Sequence, residues 1–178
     1  GLPRCGSTLT ESIIAANNKV FAIGESKFMR NALNLSLVDT FNQTVVETNQ
    51  IENIKNDLIK IGNKYINQVN ELNPLEQSVD KQLSNIHYLG FIKKALPSSK
   101  IIILLRDPWD VAISMFKQRY VVNVPYSSSF FNIGVVVSNF EASFLTWKKF
   151  NLIENVMVIN YEDLVNNQKE KREEIYTF

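Results

Sequence analysis

Five aliphatic residues in a row, Ile101-Ile-Ile-Leu-Leu105, are followed at once by Arg106-Asp-Pro108. A short, branched-rich run bounded by a turn residue reads as a buried strand. Val156 to Ile159 repeats the pattern, and Val20 to Ile23 is a weaker third run. Long stretches with helical spacing separate them. Leu9, Ile13 and Ile14 follow the small polar pair Ser7-Thr8, and Phe28, Ala32, Leu35 and Val38 keep the same interval. Ile51, Ile54, Leu58, Ile61, Tyr65, Ile66 and Val69 form the longest stripe, ended by Asn73-Pro74. Ile86, Leu89, Ile92 and Leu96 make another before Pro97, and Val111, Met115 and Phe116 follow Pro108, a residue suited to a helix's first turn. Phe140, Phe144, Trp147 and Phe150 make the last, expected in the core. Strands alternating with helices imply an α/β fold with a parallel sheet and helices on both faces.

The chain of 178 residues suits one domain spanning residues 1–178, able to form a core without a disulfide or metal. Nineteen basic residues against eighteen acidic ones give no general attraction to nucleic acid or an anionic membrane, so an anion site has to be local. One cysteine, Cys5, and one histidine, His87, exclude an intrachain disulfide and a cysteine- or histidine-based metal cluster. No apolar run approaches the roughly 20 residues of a membrane span. The sequence opens within an apparent strand end and stops within an apparent helix, which reads as a fragment. With one cysteine and no visible signal, a cytoplasmic, reducing location is expected. The segment from Val121 to Gly134 is the candidate for a loop over a site, with a plain surface connection as the alternative.

Gly1-Leu-Pro-Arg-Cys-Gly-Ser-Thr8 has the skeleton Gly-x-x-x-x-Gly-x-[Ser/Thr] ahead of a helix. Such a turn aims backbone N–H groups at one point, and the helix end adds partial positive charge; it should hold a phosphate. The lysine of a triphosphate-binding loop is replaced by Ser7, and the positive charge sits at Arg4 instead. No strand ends in an isolated acidic residue, since Asp107 follows Arg106. Both departures argue against triphosphate hydrolysis and a bound Mg²⁺. A tight turn capping a helix is the plainer reading. A second anion element is Arg106, delivered by a strand end, with Ser114 on the next helix. A purely structural Arg–Asp pair is its plainer reading. Together the two elements suggest a ligand with phosphates at both ends.

These residues resemble the sulfotransferases that use 3′-phosphoadenosine 5′-phosphosulfate (PAPS), above all the protein-tyrosine sulfotransferases and the bacterial sulfotransferases joined to tetratricopeptide repeats. Pro3-Arg-Cys-Gly-Ser-Thr-Leu9 is similar to their 5′-phosphosulfate loop, with Cys5 and Ser7 in place of the usual Ser and Thr. Gly24-Glu25, Asp80-Lys81, Arg106-Asp-Pro-Trp-Asp110 with Ser114, and Tyr161-Glu-Asp-Leu164 follow in the family's order. Gln82-Leu83 departs from the Asp-Lys-x-Pro often found there.

The resemblance implies a P-loop-like three-layer sandwich. It also implies sulfuryl transfer from PAPS to a hydroxyl, a peptide tyrosine, glycan or small molecule, without a metal. Glu25 would be the general base, its carboxylate partly desolvated in a cleft; Lys81 and Arg4 would stabilise the transferred and leaving groups. Arg4, Cys5, Gly6, Ser7, Thr8 and Leu9 would hold the 5′ end, Arg106 and Ser114 the 3′-phosphate, and Tyr161 the adenine end. A repeat region in a longer chain and a homodimer are expected partners, nucleic acid and membrane are not. His87, the base type of the small-molecule sulfotransferases, falls outside these motifs and reads as a helix-face residue. Cys5, at a helix start that can lower a thiol pKa, reads as structural rather than reactive. The competing functions are a P-loop nucleotide or small-molecule kinase, and a PAPS-binding assembly domain without turnover.

Overall fold

The computed structural model describes residues 1–34, 48–72, 77–118, 124–152 and 155–178. Leu35, Val38, Asn73-Pro74 and Val121 lie outside the described residues, as do the side chains of Ile51 and Ile54. The chain forms two compact units, Gly1–Ile14 with Lys100–Phe178, and Ala15–Ser99.

In the first unit the aliphatic runs become β3 (Ile101–Leu105) and β4 (Val156–Asn160), paired in parallel from Ile101 opposite Val156 to Leu105 opposite Asn160. Parallel strands need a crossover, and α5 (Pro108–Lys117) and α6 (Phe130–Lys149) lie in it. Asp107 caps α5: its Oδ1 accepts from the Trp109 and Asp110 amides at 2.8 and 3.0 Å, with Pro108 in the first turn. Such a cap contributes about 1 kcal/mol. Ile103, Leu104 and Ile159 from the strands are buried, as are Val111, Met115, Ile133 and Phe140 from the helices. α1 (Ser7–Ala15) precedes them in sequence. α7 (Tyr161–Asn166) and α8 (Gln168–Thr177) follow, and the Tyr176 hydroxyl donates to the Ile13 carbonyl at 3.0 Å.

The second unit pairs β1 (Val20–Gly24) with β2 (Gln77–Asp80), again in parallel, with an irregularity between Ala22 and Gly24. Gln-Ser-Val-Asp carries one apolar residue, so β2 gave no strand signal in the sequence. The hydrogen bonds of the two strands, not their hydropathy, hold it there. α2 (Phe28–Asn34), α3 (Thr48–Leu72) and α4 (Leu89–Ala95) bury Met29, Ala32, Leu33 and Ile61, with Tyr65, Phe91 and Ile92 against them. Burying Ile61 fully stabilises by about 1.5–3 kcal/mol. Gly62 allows the close approach of α3 and α4, because a Cβ there would strike the Ala95 carbonyl.

The α/β class, with parallel strands, is what the sequence implies; the strands are joined as two pairs, one in each unit. Three local expectations change. The stripe from Ile86 to Leu96 is a 3₁₀ segment, Leu83–Tyr88, running into α4 rather than one helix. In the last stripe only Phe140 is buried; Phe144 and Trp147 are half-buried and Phe150 is 64% exposed, so that face is the edge of the core. Residues 130–134, expected in a loop, form the start of α6, where Phe130 stacks on Phe116 with ring centroids 4.4 Å apart. Aromatic packing there overrides the Ser-rich turn signal before it.

Candidate active site

In the first unit, the turn Gly1–Gly6 leads into α1, and its shape follows from two positive φ angles, 68° at Arg4 and 93° at Gly6. Glycine takes such an angle without cost, but arginine does so under strain of order 1–3 kcal/mol, which surrounding bonds have to offset. Those bonds are present. Arg106 Nη1 donates to the Arg4 carbonyl at 2.8 Å, and Arg4 Nε donates to Ser114 Oγ at 3.0 Å. Gly6 is required twice over, since a Cβ would also collide with the Tyr161 ring. The Arg106 guanidinium lies over that ring, 4.4 Å from its centroid, a cation–π contact. Arg106 Nη2 is 3.6 Å from Asp110 Oδ2, and Nε is buried without a hydrogen-bond partner among the described residues.

Ser7, Thr8 and Leu9 open α1, where helix geometry leaves their N–H groups without partners inside the helix. The first closed bond is Thr10 N–H to the Gly6 carbonyl, 3.0 Å. The Cys5 amide turns inward instead, to the Leu2 carbonyl at 3.3 Å. Its side chain is 1% exposed, and burial pushes the thiol above its ordinary pKa despite the neighbouring positive charge. The helix-end lowering weighed from the sequence is outmatched by desolvation. The structure thus brings together Arg4, Gly6, Arg106, Ser114 and Tyr161, five residues drawn from three motifs.

In the second unit, Glu25 follows the end of β1 and Lys81 follows the end of β2. Adjacent parallel strands present their carboxyl ends on the same side, so the two side chains meet: Lys81 Nζ donates to Glu25 Oε1 at 2.8 Å. Lys81 is 15% exposed and Glu25 56%, so the lysine stem is packed while the carboxylate reaches water. Glu25 thus keeps a little over half of its side chain in water, and its near neighbour is an ammonium group.

Behind this pair is a polar cluster centred on Asp80, whose other members, Ser26, Tyr65 and Gln82, no motif flagged as functional. Asp80 Oδ2 accepts from Ser26 Oγ at 2.6 Å and Tyr65 Oη at 3.0 Å, and Oδ1 accepts from the Gln82 amide at 2.9 Å. Gln82 Nε2 donates to the Ser26 carbonyl at 2.7 Å, so the residue at the motif's unspecified position ties the two strand ends together. Ser26 was legible only as the neighbour of Glu25, and Tyr65 as the one hydroxyl-bearing member of its apolar stripe. Glu162 was also missed; its Oε1 accepts the Asp107 amide at 3.1 Å. His87 sits exposed on the 3₁₀ segment. Among the described residues no helix is long and apolar enough to cross a membrane.

No solved structure matches this chain. A protein of Aquifex aeolicus (strain VF5), described as uncharacterized, is 27% identical over 186 aligned residues covering the whole of this chain, which spans 24% of that relative's length. The model of the sulfotransferase family matches residues 1–178, so every element of both strand-end constellations lies inside the match, and the chain belongs to the sulfotransferase family.

Proposed function

We propose that the chain carries out sulfuryl transfer from PAPS to a hydroxyl acceptor, for which a protein tyrosine, a glycan or a small molecule would each fit, in the cytoplasm. The observation that carries the reading is the Arg4–Ser114 bond. It joins the two anion elements on one polar surface, which suits a single ligand bearing phosphates at both ends. The amides of Gly6, Ser7, Thr8 and Leu9 and the Arg4 guanidinium receive the 5′ end, with Cys5 packing the turn from beneath. Arg106 and Ser114 receive the 3′-phosphate, and Tyr161 borders the adenine end.

Transfer forms an acceptor O–S bond and breaks the S–O bond to the 5′-phosphate, whose oxygen keeps the electron pair. Glu25 takes the acceptor's proton on Oε2, the oxygen not engaged by Lys81. Lys81 and Arg4 supply positive charge to the moving sulfuryl group and the leaving phosphate. Ser7 in place of the loop lysine argues against the kinase reading.

Calorimetry with 3′-phosphoadenosine 5′-phosphate, with and without EDTA, tests the assignment. Binding that is indifferent to chelator is expected; metal-dependent ATP binding with no affinity for the bisphosphate would overturn it.

A further inference from the structure

We infer that Tyr65 is a positioning residue for this reaction: its hydroxyl, with Ser26 and Gln82, locks the Asp80 carboxylate and through it the Lys81–Glu25 pair. The inference rests on the sulfuryl-transfer reading of Glu25 and Lys81. An ionised carboxylate only accepts hydrogen bonds, so three donors on its two oxygens fix its orientation. Asp80 immediately precedes Lys81, and Ser26 immediately follows Glu25. The Lys81 amide also donates to the Gly24 carbonyl at 2.9 Å, so both chain segments are tied on either side of the pair. Tyr65 adds a link from outside these two strand ends, reaching in from the C-terminal half of α3. Its ring is anchored edge-on to Phe28, with centroids 6.3 Å apart. Burial, with the Asp80 charge beside it, pushes its phenol well above the ordinary range, so it stays protonated and stays a donor. It touches neither Lys81 nor Glu25 by any recorded bond; its effect passes through Asp80.

The test uses the whole protein and reads single-turnover sulfuryl transfer, affinity for the bisphosphate nucleotide and melting temperature. Tyr65→Phe keeps the ring and removes the hydroxyl. It is expected to slow transfer by about 10–100-fold, the scale of a misplaced reacting group, with nucleotide affinity held within about twofold. In a Lys81→Met background the same change should alter the residual rate by less than about twofold, because the group it positions is gone. A loss from general loosening would persist in that background. Ser26→Ala should mimic Tyr65→Phe, and Ser26→Thr should restore most of the rate by restoring the hydroxyl; this pair decides the matter if Tyr65→Phe does not fold. A parental rate in Tyr65→Phe, or an equal loss in both backgrounds, overturns the positioning role while leaving Lys81-dependent transfer intact. A parent that transfers no sulfuryl group overturns the reading beneath it.

Discussion

The anion turn of the first unit and the Glu25–Lys81 corner of the second are built on different principles. The turn is a backbone device: two positive φ angles curl the chain, and the side chains of Arg106, Ser114 and Tyr161 hold the curl from other elements. The corner relies mainly on side chains: with one positive φ, 78° at Gly24, its strand ends are stitched by hydrogen bonds onto the Asp80 carboxylate and by a Gln82 bond to the Ser26 carbonyl. A backbone device demands particular residues, glycine above all, and so leaves a motif. A side-chain device can be assembled from common polar residues at any sequence distance; here Gly24-Glu25 and Asp80-Lys81 mark its two strand ends, while Ser26 and Tyr65 carry no mark of their own.

The contrast is broken most sharply at Glu25. Glu25→Gln retains size and hydrogen bonding but cannot take a proton, so turnover should fall by roughly 10²–10⁴-fold with nucleotide affinity nearly unchanged. Single-turnover transfer beside a binding titration reads both; near-parental turnover would remove Glu25 from the mechanism and reopen the case for His87.

On the other side, Arg106→Ala should cost about 2–4 kcal/mol of nucleotide binding, since it removes the proposed charge-assisted phosphate contact and also frees the Arg4 carbonyl. Unfolding of this variant, with Ser114→Ala leaving affinity untouched, would make the arginine structural only. Gly6→Ala should destabilise the fold by about 1–3 kcal/mol from its φ alone, with a further loss from the Tyr161 collision, measured by denaturant unfolding. A variant of parental stability would show that the turn can be rebuilt.

Ser114→Ala should cost on the order of 1 kcal/mol in nucleotide binding. A double-mutant cycle should couple it to Arg4, its hydrogen-bond partner. The smallest effect concerns Cys5. The folded thiol holds its proton to higher pH than the unfolded thiol, so as pH climbs past the ordinary value of 9.0 the unfolded state ionises first and stability falls. Cys5→Ser should flatten that fall between about pH 8 and pH 10, on either side of that ordinary value. Equal slopes in the two proteins would mean that burial of Cys5 has no titration consequence.

β3 and β4 were legible because their hydrophobic runs are uninterrupted, and Arg4, Gly6 and Arg106 because turns and strand-end cations have fixed spacing. β2 was not legible, because Gln77 to Asp80 has no apolar periodicity and becomes a strand only by pairing with β1. Glu25 and Lys81 were chosen by family likeness, but their direct bond follows from parallel register, with Gly24 opposite Asp80, and register is a property of two segments 56 residues apart in sequence.

The sequence by itself determined the strands β3 and β4 and most of the helices, where a pattern of one period runs unbroken, and where the turn before α1 calls for glycine. Tertiary structure alone decided that Arg106 holds the Arg4 carbonyl, that the Cys5 amide turns inward to Leu2, and that a tyrosine from the C-terminal half of α3 meets Asp80. The physical reason is range. Periodicity and turn preference act between residues a few positions apart, while a hydrogen bond needs about 3 Å in space and is indifferent to the length of chain between its ends.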